Sequence, residues 1–83
     1  MAPLSSMQNV GKVLEKNLIE AGIRSPEELR RIGAKEAFLR IRLHDSGACI
    51  HMLYGLQGAI EGIKDKNLSD HTKEDLKNFF HSL

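Results

Sequence analysis

Apolar residues recur along this chain at the spacing of three and four that predicts α-helices. Val10, Val13, Leu14, Leu18 and Ala21 fall on one face of a first helix at that spacing. No stretch alternates with the period of two that is typical of a β-strand, and β-branched residues are sparse. The pattern therefore predicts an all-α protein.

Capping residues divide the pattern into helices. Gly22 predicts a left-handed end to the first helix. Ser25 and Pro26 predict the cap and first residue of a short second helix, which ends at Gly33. A third helix carries Ala34, Ala37, Phe38 and Ile41 and stops near Asp45.

The fourth helix is predicted at about residues 48–63 and is apolar most of the way round, which is typical of a central, buried helix. Its main stripe consists of Cys49, Met52, Leu53, Leu56, Ala59, Ile60 and Ile63. A fifth helix begins at Ser69 or Asp70 and presents Leu76, Phe79, Phe80 and Leu83. With a short turn expected at residues 4–7, the fold is predicted to be a small five-helix domain.

Composition limits what this domain can be. Its 83 residues, 41% of them hydrophobic, fit one domain over residues 1–83. A single cysteine excludes an intramolecular disulfide and a four-thiolate zinc site. Cys49 lies on the apolar stripe, so we expect a buried, inert thiol. The longest stretch without Asp, Glu, Lys or Arg, residues 46–60, is too short to span a bilayer of about 30 Å. We expect a cytoplasmic protein that does not contact membranes.

The charge is near neutral overall, +1, but unevenly distributed. Residues 1–44 hold eight basic and five acidic residues, a balance of +3, whereas residues 45–83 hold four and six, a balance of −2. Any polyanion contact is therefore expected in the first half.

The segment Asn9-Val10-Gly11-Lys12 precedes the first helix and resembles the turn of a helix-hairpin-helix. In that turn, unpaired backbone amides at a helix N-terminus face a phosphate oxygen. Asn9 stands where the first glycine of the motif usually stands, and asparagine tolerates the left-handed conformation. Lys12 and Lys16 add positive charge beside the turn. The alternative is a turn that merely starts the helix and docks Val10 in the core.

Two other groups are candidates for binding. A basic cluster, Arg30, Arg31, Lys35, Arg40 and Arg42, could extend a phosphate contact, although a solvated surface of mixed charge is the favoured interpretation. Three glycines, Gly55, Gly58 and Gly62, each cost up to about 1 kcal/mol inside a helix. Such a cost indicates close approach by another helix, within the chain or across a homodimer.

No Ser-His-Asp order, Walker loop or HExxH motif is present. We therefore expect a non-enzymatic protein with no cofactor, no metal site and no small-molecule substrate.

The runs at residues 9–16, 21–23, 27–29 and 33–38, and the later pattern from Cys49 to residues 62–63, resemble the C-terminal domain of the TfoX/Sxy competence regulators. The segment Gly-x-Lys-Glu-Ala-Phe-Leu at residues 33–39 is the most specific part. The resemblance implies an all-helical bundle of the helix-hairpin-helix or SAM-like kind from bacteria, without catalytic residues. Some members also carry an N-terminal α/β domain, to which nothing in these 83 residues corresponds. The expected function is a non-enzymatic binding module that acts through protein contacts or through weak, sequence-independent DNA contacts. The alternative is a protein-interaction or dimerisation domain with no nucleic-acid role.

Overall fold

The computed structural model describes residues 3–83 and, over that range, contains five α-helices, two 3-10 turns and no β-strand. The helices are α1 (Lys12–Glu20), α2 (Pro26–Ile32), α3 (Ala34–Arg42), α4 (Ile50–Glu61) and α5 (Asp70–His81), and the 3-10 turns are Leu4–Ser6 and Asp65–Asn67. The predicted all-α, five-helix fold is confirmed. None of the helices in residues 3–83 is long and apolar enough to cross a membrane.

The predicted capping residues set the helix ends. The Ser25 hydroxyl accepts a hydrogen bond from the Glu28 amide at 3.1 Å, and the Ser69 hydroxyl accepts one from the Thr72 amide at 3.1 Å. Each bond satisfies an amide that has no acceptor inside its own helix. Gly22 has the expected left-handed φ of +86° and turns the chain after α1.

Helix α4 lies at the centre of the fold and contacts α2, α3, α5 and the second 3-10 turn. Leu53 and Leu56 on α4 are fully buried, as is Phe38 on α3, whose ring lies 5.9 Å from that of Phe80. The expected turn near the start of the chain is the first 3-10 turn, and it buries Leu4 in the same core.

Four predicted positions are wrong, and all of them lie close to a helix end. Val13 is 76% exposed, because Val10 precedes α1 and the helical spacing between the two does not hold. Cys49 is exposed rather than buried, because it is the extended N-cap of α4. Gly62 is the left-handed C-cap of α4, with φ +76°, and not an interior residue. Leu83 lies beyond α5 and is 44% exposed.

Candidate functional site

The candidate phosphate-binding turn is built on Asn9. Within residues 3–83, Asn9 is the single residue other than glycine with a positive φ, +69°. Asparagine adopts this left-handed conformation at lower cost than most residues, so it replaces glycine here. The turn connects the first 3-10 turn to α1.

The side chain of Asn9 binds the turn to the C-terminal end of α4. Its Nδ2 donates hydrogen bonds to the carbonyls of Gly55 at 3.3 Å and Ile63 at 3.0 Å. Its Oδ1 accepts a hydrogen bond from the Asp65 amide at 3.2 Å. We call these three bonds the Asn9 clasp. The clasp fixes the start of α1 against a segment 46 to 56 residues away in sequence.

The clasp also explains one of the three glycines, Gly58. A Cβ atom added to Gly58 would lie 2.5 Å from Asn9 Nδ2 and 2.7 Å from the Ile63 carbonyl oxygen. A Cβ atom on Gly55 would lie 3.6 Å from the Asn9 Cβ, which is an ordinary van der Waals contact and does not require glycine. The close approach expected at these glycines is therefore found at Gly58, where the Asn9 turn and the chain after α4 make it, and not a helix. Gly62 has open space around its Cβ position.

The start of α1 presents unpaired amides to solvent. The first amides of a helix have no acceptor within that helix, and its N-cap, Gly11, has no side chain that could accept from them. The helix dipole adds positive potential at this end. Lys12 is exposed, and the Lys16 side chain is 79% exposed with its ammonium 4.0 Å from Glu20. This arrangement favours a phosphate oxygen.

One acidic side chain opposes that potential. Glu15 lies in the first turn of α1, and its carboxylate accepts a hydrogen bond from the Ser5 amide at 3.0 Å. The bond fixes the first 3-10 turn to α1. The negative charge of Glu15 lowers the attraction of this site for a phosphate. Its carboxylate bonds to Ser5, so it does not take up a backbone amide of α1.

The basic cluster divides between separate parts of the surface. Arg30 lines a depression of about 250 Å³ together with Met7, Gln8 and Gly62, next to the Asn9 turn. Arg31, the adjacent residue, is exposed and does not line it. Arg30 is therefore the member of the cluster that adjoins the candidate turn.

Two other members of the cluster, Lys35 and Arg40, have local acidic partners. Lys35 lies 2.8 Å from an Asp75 carboxylate oxygen and 5.4 Å from the centre of the Phe79 ring, so it faces α5. Arg40 Nε donates to Glu36 at 3.1 Å. Arg42 lines a different depression, at the C-terminal end of α3.

Three lysines that the sequence did not single out lie near the turn. Lys64 is exposed and stands between Ile63 and Asp65, the residues whose backbone the clasp holds. Lys66 and Lys73 line a depression beside this segment. The charge balance of residues 45–83 hides them, because five of its six acidic residues lie in the same stretch as these lysines, residues 61–75. Over residues 3–83, no three His, Cys, Asp or Glu side chains group to hold a metal ion.

Comparison with known proteins gives consistent matches. The family described as the TfoX C-terminal domain matches residues 1–80. Protein Sxy of Escherichia coli K12 is 35% identical over 80 residues, which are 96% of this chain and 38% of that protein. The chain thus spans well under half the length of that relative.

Two crystal structures from Listeria monocytogenes share the fold. An uncharacterized protein in a triclinic form superposes with a TM-score of 0.96 at 51% identity, over 98% of this chain and 92% of that one. A protein of unknown function in a tetragonal form superposes with a TM-score of 0.94 at 51% identity, over 95% and 96%.

Proposed function

This chain belongs to the TfoX C-terminal domain family, which relates it to competence regulators, and on that premise we propose that it is a non-enzymatic module that binds the DNA backbone. The turn from Asn9 to Lys12 holds a phosphate through the first amides of α1. Lys12 and Lys16 add positive charge on α1, and Arg30 adds it in the depression next to Gln8, which it shares with Glu27.

The observation that carries the proposal is the left-handed turn at Asn9. Its φ of +69° and its clasp hold the chain so that α1 begins at the surface with no side-chain cap. A preorganised turn loses little conformational freedom when a phosphate binds. Backbone amides make the same contact with every phosphate, so the proposed binding is independent of base sequence.

The size of the domain limits the length of DNA that it covers. Its longest dimension is 32 Å, slightly less than one turn of B-DNA, which is about 34 Å or ten base pairs. Few phosphates lie within that span of the surface. We therefore expect weak binding, with a Kd in the range of about 10⁻⁴–10⁻⁶ M that is typical of non-specific DNA contact.

The test is fluorescence anisotropy with a labelled duplex of about 20 base pairs, roughly two helical turns. The wild type is compared with the Lys12→Glu/Lys16→Glu variant between about 50 and 200 mM salt. We expect salt-sensitive binding by the wild type and a loss of at least about tenfold in the variant, because the charges of the two lysines beside the turn are reversed. Duplexes of unrelated sequence are expected to bind alike.

A matched control separates a local site from overall charge. Arg31→Glu/Lys77→Glu changes the net charge by the same amount at two exposed positions that line none of the depressions near the turn. The control is expected to weaken binding far less than the Lys12/Lys16 variant. Equal losses in the two variants, or wild-type affinity that does not change with salt, would contradict the proposal.

A second candidate function is protein interaction, and one observation favours it. Leu43, just after α3, is 84% exposed and lines a depression of about 340 Å³ with Leu39, Arg40 and Arg42. A large apolar side chain at such a position is typical of a contact surface when other apolar atoms adjoin it.

Sedimentation velocity over a range of concentrations tests this alternative for a homodimer. Two results together would support the alternative against the DNA proposal. The wild type would form a dimer that Leu43→Lys abolishes, and it would bind no DNA at low salt. A monomer at all concentrations would exclude the homodimer.

A further inference from the structure

The lysines of the second half of the chain gather beside the Asn9 clasp. Residues 45–83 contain four basic residues, and three of them are Lys64, Lys66 and Lys73. Lys64 follows the carbonyl that accepts from Asn9 and precedes the amide that donates to it. The clasp therefore places Lys64 and its neighbours next to the turn that leads into α1.

Lys66 and Lys73 share one depression. It has a volume of about 290 Å³ and is lined by His51, Tyr54, Asp65, Lys66 and Lys73. Two ammonium groups, an imidazole and a phenol can all donate hydrogen bonds to phosphate oxygens. The lining therefore offers hydrogen-bond donors to an oxyanion, beside the Asp65 carboxylate.

Local hydrogen bonds hold the charged side chains of this depression in place. The Lys73 ammonium donates to the Lys66 carbonyl at 3.2 Å, which holds the long side chain across the second 3-10 turn. An ammonium has three donors, so further donors remain for a ligand. The Asp65 carboxylate accepts from the Lys66 amide at 2.8 Å, so one of its oxygens already has a partner in the turn. Lys66 and Lys73 outnumber Asp65 among the residues that line the depression. Glu61, Asp70 and Glu74 lie on the same segment but do not line it.

We infer that Lys64, Lys66 and Lys73 form a second contact for the phosphate backbone of the same DNA duplex. This inference rests on the proposed DNA contact at the start of α1. The duplex lies across the Asn9 turn, with one phosphate at the α1 amides and others at the three lysines. The Asn9 side chain then has a positioning role, because its bonds to Ile63 and Asp65 fix the distance between the two contacts.

The salt dependence of the binding constant measures how many phosphates the lysines contact. Each phosphate neutralised by a lysine contributes about 0.9 to the slope of log K against log salt. Lys64→Glu/Lys66→Glu is expected to lower the magnitude of the wild-type slope by about 1.8, and Lys73→Gln by about 0.9. The control Arg31→Glu/Lys77→Glu is expected to leave the slope within experimental error. Circular dichroism confirms that each variant is folded.

The outcomes distinguish this inference from the proposed function. If the wild type binds and Lys12→Glu/Lys16→Glu loses binding, but Lys64→Glu/Lys66→Glu keeps the slope of the control, the second contact is overturned and the first stands. If the wild type binds no duplex at about 50 mM salt, both are overturned. A reduced slope in both lysine variants, with the control unchanged, supports the second contact.

Discussion

Replacing Asn9 separates the two things that this residue supplies, a left-handed backbone and three hydrogen bonds. Asn9→Gly keeps the freedom to hold a φ of +69° but removes the clasp. Asn9→Ala removes the clasp and also places a Cβ atom in the left-handed region. Comparing the two variants measures each contribution.

The expected magnitudes follow from the contacts. A hydrogen bond contributes about 0.5–1.5 kcal/mol to stability, so three bonds contribute about 1.5–4.5 kcal/mol. Two of the three lie in exposed surroundings where water can replace Asn9, which favours the lower part of that range. We expect Asn9→Gly to cost about 2 kcal/mol. Asn9→Ala is expected to cost about 1 kcal/mol more, because alanine is strained at positive φ.

The assay is urea unfolding monitored by far-ultraviolet circular dichroism. An m-value equal to that of the wild type is the check that each variant unfolds in two states. In a domain of this size, 1 kcal/mol changes Tm by about 4–8 °C, so Asn9→Gly is expected to lower Tm by about 8–16 °C. Gln8→Ala is the control, since Gln8 is exposed and adjacent. It is expected to change stability by less than about 0.5 kcal/mol.

Two results would refute this reasoning. The clasp would not be a stabilising feature if Asn9→Gly unfolded within about 0.5 kcal/mol of the wild type. The backbone argument would fail if Asn9→Ala and Asn9→Gly were equally stable. A further check is Gly58→Ala, whose new Cβ meets both Asn9 Nδ2 and the Ile63 carbonyl. Its cost should fall by at least about 0.5 kcal/mol in the Asn9→Gly background, because one of those two contacts is then gone.

Three further predictions concern single positions. Ser25→Ala is expected to cost about 1 kcal/mol in urea unfolding, because the Glu28 amide loses its acceptor; an unchanged midpoint would mean that water replaces the cap fully. Phe38→Ala is expected to cost about 3–5 kcal/mol, since the side chain is fully buried, and a cost below about 1 kcal/mol would show that the core collapses around the gap. Cys49 is expected to react with a thiol reagent as fast in the folded protein as in urea, and Cys49→Ser to leave stability within about 0.5 kcal/mol; a protected thiol would contradict its exposed position.

The helices were predictable because their interiors follow one period. Leu18, Leu53 and Leu76 are buried as the spacing requires. The errors at Val13 and Cys49 share one cause, which is that the period was extended across a helix end. Val10 and Cys49 have extended or turn backbones outside their helices, so their side chains do not follow the helical phase.

The candidate site was only partly predictable for a different reason. The turn at residues 9–12 is visible because its residues are adjacent in the sequence. The clasp joins Asn9 to Gly55, Ile63 and Asp65, and no local pattern in a single sequence reveals such partners. Lys64 stayed hidden for the same reason, since its nearness to the turn exists only after folding.

The hydrogen bond from the Asp65 amide to Asn9 Oδ1 also makes Asp65 a reporter on the turn. A backbone amide exchanges its proton with solvent when the bond that protects it opens. Asp65 lies 56 residues from Asn9 in sequence, yet its amide exchange follows the opening of the Asn9 turn. Amide exchange measured by NMR at this one position would therefore give the free energy of local opening at the start of α1. That opening sets how much of the time the proposed phosphate-binding conformation is present in the unbound protein.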